Sequence, residues 1–271
     1  ITDASNVDSA AGDSDVIIHA AAMIDWGNTP RSRVFDVNVQ GTRHVVAAAR
    51  RHGANGVVYT GTMDAVMDGG PLSDIDESQP YPARFLDAYS ESKALAEQVV
   101  LDANRDGLRT TVLRACGMYG EADPYHMENV LEQAKQGKLT FRLGSPDTKF
   151  EHVYVGNVAY AHALATFALL EGEPPAIAGR KYFVTDQPAD NFFEFMRPFI
   201  ERLGYGFPSG SYDQVTGYAA MRFLCHAYGI EPPTRRLKGE PFVPDPDILA
   251  RLVYAVAMQY PSDRSGSIDP D

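Results

Sequence analysis

Apolar positions along the chain alternate between short β-branched runs and helical spacings. After a polar lead rich in Asp, Ser and Ala, Asp15-Val-Ile-Ile-His-Ala-Ala-Ala22 reads as a strand buried on both faces, and its small terminal residues let a ligand approach the backbone. From about Arg33 to His52 the apolar residues fall at Val34, Val37, Val45, Val46 and Ala49, and Gly53 follows: a helix with its stop signal. Gly56-Val-Val-Tyr-Thr-Gly-Thr62 is a second interior strand. A loop carrying Gly69, Gly70, Pro71, Pro80 and Pro82 leads to Ala88–Asn104, rich in strong helix formers, and Arg109-Thr-Thr-Val-Leu-Arg114 is a third strand. This order predicts an α/β fold, a parallel sheet with right-handed crossovers and helices on both faces.

Beyond Tyr119-Gly120 the pattern is less regular. It predicts a helix near Met127–Gly137, a strand-to-helix passage over His152–Leu170, a strand at Lys181–Thr185 and a helix near Phe192–Leu203. This half is expected to shape a pocket over the sheet edge. Ser262–Asp271 is polar with nothing to bury, and disorder is expected there.

Composition narrows the function classes. The 271 residues carry 24 Lys and Arg against 36 Asp and Glu, a formal charge of −12, which gives phosphate backbones no electrostatic attraction and argues against a nucleic-acid partner. Cys116 and Cys225 stand far apart, and the seven histidines never fall in a ligand spacing, so neither a disulfide framework nor a metal site is expected. The longest apolar run, Asn157–Leu170, includes His162 and is too short to span a bilayer. A cytoplasmic protein is expected. The chain opens at Ile1 without a basic-then-apolar leader, which reads as a removed N-terminus or a fragment.

The chemistry centres on Tyr89-Ser-Glu-Ser-Lys93. An i,i+4 pair shares one helical face, so a phenol and an ammonium can reach a common point. Bringing a tyrosine from ~10 to near neutrality takes ~3 pKa units, roughly 4 kcal/mol, which a desolvated ammonium and an oxidised nicotinamide could supply together. Thr60-Gly61-Thr62 ends a parallel strand at the carboxyl edge where α/β proteins place ligands, and its two hydroxyls can hold a substrate oxygen. Asn38 and Gly41 weaken the helix around Val37-Asn-Val-Gln-Gly-Thr42. Two readings of Asn38 stay open, a hydrogen bond tying the helix to its neighbour and a water-mediated hold on the lysine.

These motifs, with Leu113-Arg-Ala-Cys-Gly-Met-Tyr-Gly120 and Val153-Tyr-Val-Gly-Asn-Val158, resemble in order those of an extended short-chain dehydrogenase/reductase, most closely the 3β-hydroxysteroid dehydrogenase/isomerase group with its sterol-4-carboxylate 3-dehydrogenases. The resemblance covers roughly Asp3–Leu203. It implies a Rossmann-type doubly wound parallel sheet lacking its first βαβ section, with a smaller mixed α/β substrate-binding part. Residues 1–120 would form the partial dinucleotide-binding part, 121–261 the substrate part with some segments returning to the sheet, and 262–271 a tail. By the same resemblance Tyr89 would be the acid/base, Lys93 would lower its pKa and bind the nicotinamide ribose, Thr62 would hold the substrate oxygen and Asn38 would complete the proton path. Ala20, Ala21, Ala22, Thr60, Ala115, Gly117 and Met118 would border the cofactor, NAD or NADP with NAD favoured. The reaction implied is oxidation of a secondary alcohol on a sterol-like or other bulky apolar substrate.

Three departures from the family pattern stand out. No Gly-rich phosphate-cradling turn follows a first strand, since Gly53-Ala-Asn-Gly56 precedes one, so the chain as given is expected to bind dinucleotide poorly. Thr62 replaces the usual serine and keeps its hydroxyl; Ala115 replaces a proline and loosens the backbone. In the weaker second half, Gly217–Ile230 is apolar and aromatic. It is read first as a core helix, with a pocket wall, a homodimer interface or a membrane-surface contact as the other readings. Tyr125, His126, Met63 and Met118 are candidate pocket walls. A sugar-nucleotide epimerase or dehydratase ranks second, with Arg235-Arg236 as the one basic cluster in that half, and a non-catalytic dinucleotide sensor third.

Overall fold

A computed structural model describes residues 1–25, 29–68, 72–125, 127–139, 141–143, 147–171, 176–186, 188–208 and 210–212. His126, Cys225, Arg235, Arg236, the 217–230 segment and the 262–271 tail lie outside the described residues.

The polar lead forms a helix, α1 (Ala4–Ala11), which was not expected from its composition. Asp3 caps it by accepting from the amides of Ser5 (2.8 Å) and Asn6 (3.2 Å), and Val7 and Ala11, one turn apart, pack on Val45 and Ala48. Strand β1 (Val16–His19) follows, then an unbroken helical stretch in three pieces. These are α2 (Arg31–Phe35), a π-helical turn (Asp36–Gln40) and α3 (Gly41–His52), which stops at Gly53 in the left-handed region at φ 69°. Strand β2 (Gly56–Thr62) runs into a 3₁₀ turn (Met63–Val66), and α4 (Ala88–Asp102) leads to β3 (Arg109–Ala115). The remainder supplies β4 (Gly117–Tyr119), α5 (Met127–Lys135), β5 (Phe141–Leu143), β6 (His152–Tyr154), α6 (Val155–Leu170), β7 (Arg180–Val184), α7 (Phe192–Arg202) and β8 (Gly210–Tyr212).

The main sheet is parallel throughout in the order β1-β2-β3-β7, so the second half of the chain returns one strand to it. Val57, Tyr59 and Val112 point to the face covered by α3 and α4, while Val58 and Leu113 point to α6. Each of these five is almost fully buried, and each stabilises the fold by roughly 1.5–3 kcal/mol relative to an exposed side chain. The doubly wound α/β architecture expected from the pattern is present. Among the described residues no helix is long and apolar enough to cross a membrane.

The reading of Asp15–Ala22 as a strand buried on both faces needs correction. Pairing ends at His19, Ala20–Ala22 run on as exposed chain, and Ile18 is 49% exposed. The reason is position: among the described strands β1 has a neighbour on one side alone, and α6 reaches only its Val16 end.

Candidate active site

The register of the sheet sets the site's floor. Thr62 of β2 lies beside Ala115 of β3, and Ala115 beside Val184 of β7, so these strands finish at one level. Gly61 lets β3 approach, because a Cβ there would meet Val112 Cγ1 at 2.9 Å. Helix α4 starts over this edge. Asp87 caps it by accepting from the Ser90 amide at 2.7 Å, which puts Tyr89 in the first turn and Lys93 one turn deeper on the same face.

Lys93 is 4% exposed. Its Nζ donates to the main-chain carbonyl of Thr60 at 2.7 Å and lies 4.3 Å from the centre of the Tyr59 ring. Burial pushes its pKa down to about 7, opposed by the negative charges of Glu97 and Asp64. Tyr89 is half-buried, and its phenol stands well above the ordinary value. Burial is the largest cause, Asp64 and Asp87 add to it, and a hydrogen bond with Thr62 works in the opposite direction. In the protein alone, burial and the nearby carboxylates set the phenol's pKa. The ammonium is drawn to a carbonyl inside the sheet, and the carboxylates of Asp64 and Asp87 are what the phenol feels.

Asn38 sits in the π-helical turn, 1% exposed, where an extra residue per turn re-aims its side chain. Its Oδ1 accepts from Met23 N at 2.7 Å, and its Nδ2 donates to Met23 O at 3.0 Å and to Ser92 Oγ at 2.9 Å. Ser92 Oγ in turn donates to Tyr89 O at 2.7 Å. Of the two readings, the tie between neighbouring elements is what the geometry displays: Asn38 clips the chain after β1 to the helix that carries Tyr89. Thr42 Oγ1 donates to Asn38 O at 2.6 Å, so the 2.9 Å contact to His19 has His19 Nε2 as donor. Burial, and then the nearby Lys93, push His19 down to about 3, so it is neutral.

The other expected residues divide. Thr60 holds Lys93 through its carbonyl, while its hydroxyl lies 2.7 Å from His162 Nε2 on the α6 side. Ala20–Ala22 form an exposed small-residue rim past β1. Ala115 packs with Cys116, Val153 and Val158, and Gly117 is closed off by the Phe150 ring and paired with His152, so both belong to the packed floor. Met118 is partly exposed beside them. Tyr125, exposed, is near enough to act on the Tyr89 phenol.

Two groups were missed from the sequence. Asp64 takes a hydrogen bond from Thr62 Oγ1 and acts on Tyr89, Lys93 and Cys116; its spacing, two residues past the strand-ending threonine, was the available signal. Glu97, one turn beyond Lys93, pairs with Arg114 of β3 at 2.7 Å, both fully buried, and accepts from Tyr81 at 2.7 Å. That pair fixes α4 on the sheet.

At its nicotinamide end a dinucleotide fits what is present: a buried ammonium, a phenol, a hydroxyl and an open rim of alanines around the carboxyl edge. Among the described residues no Gly-rich strand-to-helix turn offers a pyrophosphate cradle. No group of three or more potential metal ligands gathers among them either.

Parallel sheet, π-turn asparagine and Tyr-Lys helix together define an extended short-chain dehydrogenase/reductase. The chain belongs to the 3-beta hydroxysteroid dehydrogenase/isomerase family, whose family model matches residues 1–212. It is 37% identical over 190 residues to sterol-4-alpha-carboxylate 3-dehydrogenase erg26, decarboxylating, of Schizosaccharomyces pombe, covering 70% of this chain and 55% of that protein. It is 34% identical over 243 residues to a 3-beta-hydroxysteroid dehydrogenase of Mycolicibacterium neoaurum, covering 86% and 66%. The chain thus spans little more than half the length of the fission-yeast relative. In fold it is similar to the Bordetella bronchiseptica enzyme WbmH solved with NAD+, with TM-score 0.65 at 18% identity over 79% of this chain and 67% of that one.

Proposed function

We propose that this chain carries the chemistry of an NAD(P)-dependent oxidoreductase that converts a secondary alcohol on a sterol-like or other bulky apolar substrate to a ketone, with NAD taken ahead of NADP. The observation that carries the reading is the convergence of Tyr89, Thr62 and the buried Lys93 at the carboxyl end of β2. The names of the two relatives point to a sterol as the substrate class.

Tyr89 Oη takes the proton of the substrate hydroxyl, and Thr62 Oγ1 holds the same oxygen. Lys93, anchored on Thr60 O, stands one turn below the phenol on the same face of α4, and Lys93 with the exposed chain at Ala20–Ala22 would hold the nicotinamide ribose. Asn38 and Ser92 brace the first turn of α4, so that Tyr89 keeps its place. When bound, the oxidised nicotinamide supplies the hydride acceptor and a further positive charge. That charge matters here, because burial, Asp64 and Asp87 hold the phenol up in the protein alone. A phenol tuned in this way is acidic only when the site is loaded for oxidation.

The test assays the protein, in the full form its gene encodes, for reduced nicotinamide formed with NAD and with NADP on a panel of 3β-hydroxysterols, and for epimerised or dehydrated product on a panel of UDP-sugars. Turnover on the sterols is expected. Turnover confined to UDP-sugars, or tight dinucleotide binding with no turnover at all, overturns the reading.

A further inference from the structure

Strand β2 is held at Thr60 by helices on both faces of the sheet. The Asn55 carbonyl accepts from Arg109 N at 3.0 Å, and carbonyls alternate in direction along a strand, so those of residues 57, 59 and 61 point to β3 and those of 56, 58 and 60 to β1. Pairing with β1 ends at His19, opposite Tyr59, so the Thr60 carbonyl comes after the last paired residue. Lys93 Nζ donates to it at 2.7 Å from α4, where an amide of a longer β1 would otherwise stand. The Thr60 hydroxyl goes to α6, 2.7 Å from His162 Nε2. The other ring nitrogen, Nδ1, lies 2.7 Å from Val158 O, and a carbonyl can only accept, so Nδ1 carries a proton. In the neutral ring Nε2 then accepts and the Thr60 hydroxyl donates. We propose that His162 is a positioning residue: by holding the Thr60 side chain against α6 it fixes the peptide whose carbonyl carries Lys93.

The inference rests on the reading of Lys93 as part of the active site. His162 is buried on the side of α6 that packs on the sheet, where Val158, Ala165 and Leu169 are its buried neighbours along the helix. An apolar residue would pack there as well; what the imidazole adds is an acceptor for Thr60. One of its nitrogens is used within α6, so its link to the sheet is the one to Thr60. Around the ammonium stand the Tyr59 ring, the carboxylates of Glu97 and Asp64, and His19, whose own ring feels the Lys93 charge. All of these act on Lys93 itself, while His162 acts on the peptide that Lys93 donates to. A hydrogen bond weakens steeply as its angle departs from linear, and a bond to a charged donor has more to lose. With Thr60 free to twist, Lys93 would give up part of this bond, and its charged form would be less favoured.

Thr60→Val removes the hydroxyl and keeps the shape and the carbonyl. His162→Asn keeps a donor near the Nδ1 position for Val158 O and loses the reach to Thr60, whereas His162→Gln places an acceptor near the Nε2 position. The readout is the titration of the Lys93 side chain by NMR in the free protein, where its midpoint stands at about 7 before substitution. The midpoint is expected to fall by roughly one pH unit in Thr60→Val and in His162→Asn, to fall no further when the two are combined, and to return in His162→Gln. A structural role alone would lower stability in these variants and leave the Lys93 midpoint in place. If His162→Asn does not fold, Thr60→Val and His162→Gln decide. In the full form its gene encodes, affinity for NADH is expected to fall roughly tenfold in Thr60→Val. A lowered midpoint with NADH affinity unchanged supports the anchor and overturns instead the placing of Lys93 on the ribose. A Lys93 midpoint that Thr60→Val leaves unchanged, or shifts that add in the double variant, overturns the proposal.

Discussion

The Lys93 ammonium is hydrogen-bonded to the Thr60 carbonyl at 2.7 Å, over the Tyr59 ring. The consequence is a cation held where it is costly. Its pKa of about 7 lies below the ~10.4 of an exposed lysine, so between these values the unfolded chain binds a proton that the folded chain has released. Stability should therefore rise with pH across that window. Lys93→Met is expected to flatten the rise and to raise stability near neutral pH by about 1–3 kcal/mol, as read by urea unfolding at a series of pH values. A variant less stable at neutral pH with the slope intact would contradict this account of Lys93.

Two buried histidines are expected to carry their protons on opposite nitrogens. His19 donates through Nε2 to Thr42, while His162 Nδ1 lies 2.7 Å from the Val158 carbonyl and must donate there, leaving Nε2 to accept from Thr60. Nitrogen NMR of the imidazoles should show one Nε2–H and one Nδ1–H tautomer. His19 should stay neutral down to about pH 4, because its pKa of about 3 lies well below the usual value. An imidazolium signal from His19 near pH 6 would contradict this.

The Glu97–Arg114 pair holds α4 to β3 with both side chains fully buried. Glu97→Gln leaves a buried guanidinium without its counter-charge, and a loss of about 3–5 kcal/mol is expected in denaturant unfolding. Replacing both residues with methionine should recover most of it. Equal losses in the single and double variants would mean that packing, not charge, dominates there.

Much of this was legible beforehand, for physical reasons. β2 and β3 are interior strands rich in Val and Thr, and the Tyr89/Lys93 helix is full of strong helix formers, so local preference and tertiary environment agree. α1 was hidden because its Asp, Ser and Ala residues carry little apolar signal beyond Val7 and Ala11. The run Asp15–Ala22 does not encode how far β1 is buried, because burial of a strand depends on its neighbours. The site was legible as a set of residue types but not as an electrostatic balance. Spacing put Lys93 one turn from Tyr89, but the direction of its ammonium is set by Thr60 and Tyr59 on another element. Asp64 escaped notice because one carboxylate after a strand is common, and its importance comes from what surrounds it.

The central claim is that the Tyr89 hydroxyl moves the proton. Tyr89→Phe removes one oxygen and leaves Lys93 on Thr60, so the measurement is turnover to reduced nicotinamide set beside dinucleotide affinity in the same variant. The account predicts a fall in turnover of about a thousandfold, with affinity changed by less than about threefold. A variant that keeps most of its turnover, or one that loses cofactor binding to the same degree as turnover, would contradict it.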